Sequence, residues 1–83
     1  MVIDISLYDA SKSLILNLFE SSNRDIKRTI SMMGSSTGVP CIVIAYWLGE
    51  YTQWHPDTLA AIKRLTDFYD YSEILNKPEG SPI

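Results

Sequence analysis

One cysteine and one histidine stand among the 83 residues, cations are few, and no apolar run approaches the length of a bilayer. The lone cysteine excludes an internal disulfide framework, and it equally excludes a structural zinc site built on paired thiolates. Seven Lys and Arg against ten Asp and Glu give a formal net charge of -3 and a pI near 4.8. That balance argues against a broadly basic nucleic-acid-binding surface, while a local basic face remains open. The longest apolar stretch near the amino terminus, "SLILNLF", is interrupted by Asn17 and preceded by Asp4, Asp9 and Lys12. It is neither a signal-peptide core behind a basic flank nor a span of about 20 apolar residues. A soluble cytoplasmic protein without a membrane partner is the expectation. No glycine-rich phosphate loop occurs, and His55 and Cys41 suggest no catalytic dyad without a spatial reason. Asp67 and Asp70 lie three apart on a helix without a partner acid. No catalytic residue, metal ligand or cofactor is expected.

What is present is the composition of an ordered domain, 46% apolar and 20% charged, with two Trp and five Tyr. A chain this short builds one core and buries about 60 to 65% of the surface of its unfolded form. Its stability margin is on the order of 4 to 12 kcal/mol, so a homodimer interface would be a useful supplement. The expected organisation is one helical domain over 1–75 and a fraying tail over 76–83, where two prolines and a glycine fall in "NKPEGSPI".

Three helices are legible from periodicity and caps. Residues 6–20 open with Ser6 and Asp9, close to capping-box spacing, and Leu7, Ala10, Leu14 and Leu18 recur as an apolar stripe that Ile15 and Phe19 widen. Ser22 with Asp25 announces a second helix from about 23 to 35, with Ile26, Ile30 and Met33 on one face. It should end near "GSSTG", where Gly38 can take a positive φ. In "HPDTLAAIKRLTDFYDY", Pro56 and Asp57 suit a first turn, and Leu59, Ile62, Leu65 and Phe68 or Tyr69 form the inner stripe. His55 reads as a cap or surface residue, and Met32 and Met33 as helix packing.

The stretch 41–48, "CIVIAYWL", admits two readings. Ile42, Val43 and Ile44 are β-branched and Tyr46 and Trp47 favour strands. Gly49-Glu50 could then turn the chain back along "YTQW" in a hairpin over about 41–54, with "VIDI" as a third strand of an α+β domain. A strand apolar on both faces needs cover on both, and so short a chain has little material for it. The other reading is a helix, which makes the domain all-α.

The residues "TISMMGSSTGVPCIVIAYWLGE" resemble the helix-turn-helix of the lambda-repressor-like family of small phage regulators. Met33 and Gly34 match the apolar and small pair at which the two helices approach, Gly38 and Val39 match the turn, and Pro40 is compatible with the first turn of the next helix. Ile44 and Trp47 match the two core-facing anchors. The resemblance continues through "YWLGEYTQWHPDTLAAIKRL" and covers residues 29–68, whereas the amino-terminal helix does not follow the family's spacing.

This resemblance implies a phage- or prophage-type transcriptional regulator of helix-turn-helix-like, all-α fold, binding operator DNA as a dimer. Pro40, Cys41, Ile42, Ala45 and Tyr46 would then face the major groove. Here the sequence departs from the family, which commonly places hydrogen-bonding side chains at such positions to read base edges. An exposed apolar face there suits a protein partner instead, as in an antitoxin, an anti-repressor or an inhibitor of host defence. Arg24, Lys27 and Arg28 are candidate contacts for phosphate or for that partner, with Lys63 and Arg64 a second basic pair, although such clusters are often only solvated surface. A cysteine inside an apolar run otherwise packs as a small hydrophobe.

Overall fold

The computed structural model describes residues 2–68, 71, 74 and 75. The domain is all-α: a 3-10 turn at Ile5–Tyr8 leads into α1 (Asp9–Ser21), followed by α2 (Ile26–Thr37), α3 (Cys41–Tyr51) and α4 (Pro56–Thr66). The tail 76–83 lies outside the described residues. Ile3 makes an isolated parallel bridge with Leu75, which is all that the structure shows of the extended pairing expected of "VIDI".

The disputed stretch is a helix, and the reason is cover. Every residue from Ile42 to Gly49 is buried, because α1, α2 and α4 all pack against α3. A helix that is apolar all round belongs in the middle of a bundle. Placing β-branched residues in a helix costs up to about 0.7 kcal/mol each, whereas fully burying one is worth about 1.5 to 3 kcal/mol, so burial overrides local preference. Local signals help. Gly38 at φ 74° ends α2 in the left-handed conformation and its amide donates to the Gly34 carbonyl. Pro40, extended at φ -57° and ψ 142°, is the N-cap of α3 rather than part of its first turn, and its carbonyl accepts from the amides of Val43 and Ile44 at 3.0 and 3.2 Å.

α1 is rotated from the orientation its leading stripe suggests. Ile15 and Phe19 are buried, while Leu7 and Leu14 are 75% and 57% exposed and Ala10 is exposed. Both stripes are apolar, and the larger ring of Phe19 takes the inside. Nor does Ser6 cap α1. Asp4 instead caps the 3-10 turn, accepting from the Ser6 amide at 3.0 Å and the Ser6 hydroxyl at 2.6 Å. In α2, Asp25 itself is the N-cap, accepting from the Arg28 amide at 3.0 Å, and Ser22 returns its hydroxyl to the Leu18 carbonyl. Thr29 and Met33 are buried, with Ile26 and Ile30 partly so. α4 stops at Thr66, earlier than its apolar pattern, because Asp67 turns left-handed at φ 61° and closes onto the Lys63 carbonyl. Ile62 is buried, but Leu65 and Phe68 are exposed, and Tyr69 lies outside the described residues.

The sequence shows no repeat, yet the backbone does. The α1–α2 and α3–α4 turns each place two successive non-glycine residues in the left-handed region, Asn23 and Arg24 at φ 58°, then Gln53 and Trp54 at φ 59° and 58°. In each, the second residue donates its amide five residues back, Arg24 to Phe19 and Trp54 to Gly49, at 2.8 and 2.7 Å. An extended N-cap then starts the next helix. The bundle is thus two helical hairpins closed by one turn geometry, with α3 of the second hairpin inserted as the core.

Candidate interaction surface

The burial of α3 corrects the expected reading face. Ile42 is 5% exposed, Tyr46 1% and Ala45 0%, so none of the three can meet a DNA groove in this fold. Pro40 is half-buried, and of the five positions Cys41 alone is exposed. The physical cause is that three helices cover α3, where a recognition helix needs one face free. The expected close approach at Gly34 is absent as well: a Cβ there would meet only the Val39 carbonyl oxygen at 3.9 Å, an ordinary contact. The close approach belongs to Gly49, on which the Trp54 ring lies so tightly that an added Cβ would fall 2.1 Å from Cζ3. Trp54 in turn packs on Tyr46 and Tyr71, with ring centroids 5.4 and 6.0 Å away.

The basic residues tell a different story. Five of the seven Lys and Arg fall in the α1–α2 turn, the first turn of α2 and the end of α4, and the packing of α2 on α4 brings Arg24, Lys27 and Arg64 around a cleft of about 330 Å³. Its floor is apolar, formed by Ile26, Ala61 and Leu65, with Asp25 on the rim. Oδ1 of Asp25 accepts from the Arg28 amide, and among the described residues no carboxylate forms an ion pair with Lys27 or Arg64. Arg28 is exposed beside the cleft without lining it.

Arg24 lines a second cleft of about 300 Å³ with Phe19, Thr52, His55 and Thr58. Its left-handed backbone sets the guanidinium over the rings of Phe19 and Tyr51, at 5.6 and 5.9 Å from their centroids, and Nε lies 3.4 Å from the Glu20 carboxylate. These cation–π contacts to two rings set edge to face help to fix the position of the guanidinium. His55 is the N-cap of α4, and its Nδ1 accepts from the Asp57 amide at 3.2 Å. An acceptor at Nδ1 leaves the ring proton of the neutral imidazole on Nε2, a donor. Sequence reading marked Arg24, Lys27 and Arg64 but could not join them, because residues so far apart in the chain meet only through α2–α4 packing. It missed Ile26, Ala61 and Leu65 as lining of a site, since Ile26 and Leu65 at helical spacing read as core and Ala61 carries no signal of its own.

Among the described residues, no group of three or more His, Cys, Asp or Glu could hold a metal ion, and no helix is long and apolar enough to cross a membrane. Comparison with protein-family models, with curated proteins and with solved structures finds no match for the chain.

Proposed function

We propose that this protein is a small interaction module that docks an acidic, amphipathic segment of a protein partner in the groove between α2 and α4, and so modulates that partner. The observation that carries the reading is the convergence of Arg24, Lys27 and Arg64 around the apolar floor of Ile26, Ala61 and Leu65, on a chain whose net charge is -3. Steering by a cationic patch favours an acidic partner, and an apolar floor gives an anchor side chain somewhere to go. Phosphate backbones need the first feature and make no use of the second. The enclosure of α3, the helix that the resemblance assigns to base reading, favours the protein-binding reading over operator binding. A cleft of this size suits weak, reversible binding.

Selection from displayed random peptides tests the reading. Wild-type protein should enrich peptides in which Asp or Glu alternates with Leu, Ile or Phe, and Lys27→Glu with Arg64→Glu should abolish that enrichment. Enrichment without an acidic bias would contradict it. So would binding to random duplex DNA that falls steeply with salt and vanishes in the same double variant, because the patch would then be a phosphate contact.

A further inference from the structure

The second cleft carries a more specific inference, which rests on the docking reading for its biological setting but not for its test. We propose that the cleft bounded by Phe19, Arg24, Thr52, His55 and Thr58 is an oxyanion subsite continuous with the α2–α4 groove. Arg24 is its specificity-determining contact, and Glu20 is the built-in carboxylate that an incoming oxyanion displaces.

Four features converge. First, Arg24 lines both clefts, so an anionic group bound to it sits at the end of the groove rather than at a separate site. Second, its guanidinium is already positioned by the Phe19 and Tyr51 rings. Third, two of the other polar groups lining the cleft can donate: the cap leaves the neutral His55 imidazole with its proton on Nε2, and Thr58 brings a hydroxyl. The Thr52 hydroxyl is spent on the Gly49 carbonyl at 3.0 Å and serves as wall. Fourth, a carboxylate is already present on Arg24, that of Glu20, at 3.4 Å and about half-exposed, so the guanidinium accepts an oxyanion while the pair remains weak enough to exchange. Asp57 is also close, its carboxylate standing 3.9 Å from His55 Nδ1 and 97% exposed.

The ligand chemistry is an oxyanion with several acceptor oxygens, either a phosphorylated side chain or a carboxylate on the docked segment. The planar fork of a guanidinium discriminates such groups in a way that a lysine ammonium does not.

Inorganic phosphate and acetate, titrated separately into the full chain while the Arg24 Nε–H and His55 ring signals are followed by NMR, test the subsite without any peptide. Saturating shifts with phosphate in the millimolar range are expected. Binding should tighten about two- to fivefold in Glu20→Gln, in line with removing a weak competing pair, and should be lost in Arg24→Lys, which keeps the charge but not the fork. Stronger binding of phosphate than of acetate would assign the natural group as a phosphate monoester, and the reverse as a carboxylate. Both outcomes keep the subsite. Lys27→Glu with Arg64→Glu should leave the saturation in place, so failure of the groove and failure of the subsite are separable. All these side chains are exposed, and an unchanged circular dichroism melt shows that each variant folds. Shifts that fail to saturate, or that persist in Arg24→Lys, would overturn the proposal.

Discussion

Replacing Gly49 and Gly34 by alanine, one at a time, separates the observed packing from a helix-turn-helix crossing. At Gly49 the new methyl would stand 2.1, 2.4 and 3.0 Å from Cζ3, Cε3 and CH2 of Trp54, where carbon atoms rest about 3.5 to 4.0 Å apart. The ring must therefore retreat by more than an ångström. It packs on Tyr46 and Tyr71, and its backbone is fixed by the hydrogen bond that its amide donates to the Gly49 carbonyl. Overpacking of this kind costs about 1 to 3 kcal/mol, and forfeiting two ring contacts costs about 0.5 to 1.5 kcal/mol each. Alanine's better helix propensity returns about 1 kcal/mol, leaving a net loss of roughly 1 to 5 kcal/mol. For a domain of this size that corresponds to a fall in Tm of at least about 4 °C, and on the order of 20 °C at the middle of the range. At Gly34 the methyl meets nothing closer than 3.9 Å, so the same propensity term acts alone and Tm should rise by several degrees. Thermal and urea unfolding followed by far-ultraviolet circular dichroism measure both, with equal m-values as the check that the denatured states are comparable. If Gly34→Ala is the damaging substitution and Gly49→Ala is silent, the helices cross at Gly34 and the packing described is wrong.

The rotation of α1 predicts that Ile15→Ala costs about 2 to 5 kcal/mol, whereas Leu14→Ser stays within about 0.5 kcal/mol of wild type; urea midpoints distinguish this from the opposite order. Gly38→Ala should cost about 1 kcal/mol, since the space around it is open and only its φ of 74° is strained, and Gly38→Asn should cost less. Asp4 accepts from the Ser6 hydroxyl and then from the Ser6 amide, which lowers its pKa below the ordinary 3.8. The cap's contribution is therefore complete above that unfolded-state value and is lost as pH falls through the lower folded-state one. Melts of wild type and Asp4→Ala should differ near neutral pH and converge in strong acid, and a difference that persists there would refute the assignment.

The positions of the helices could be read from the chain because breakers stand at their ends: Gly38 and Pro56 each lie within a residue of a boundary, whereas α2 starts at Ile26 and not near 23 because Asp25, rather than Ser22, is its cap. The orientation of α1 could not, because Leu7–Leu14 and Ile15–Phe19 are both apolar stripes at helical spacing. What separates them is the fit of one ring in a core assembled from distant residues. α3 was ambiguous for the opposite reason, since a segment covered on every side carries no periodicity to distinguish helix from strand. The paired left-handed turns were invisible because no glycine marks Asn23, Arg24, Gln53 or Trp54. The resemblance to the phage regulators rested on small and apolar anchors, which a buried central helix satisfies equally well. Arg24 and Lys27 were visible as candidates, but their joining to Arg64 over an apolar floor is a property of the fold.

Hydrogen exchange along the backbone probes most directly whether α3 is the enclosed centre of the domain. Amides from Ile44 to Leu48 should exchange only through global unfolding, with protection equal to the full unfolding free energy and exceeding that of the exposed ends of α1 and α4. Exchange of α3 as fast as those ends, while the rest of the fold stays protected, would return it to the surface as a candidate reading helix and contradict the account.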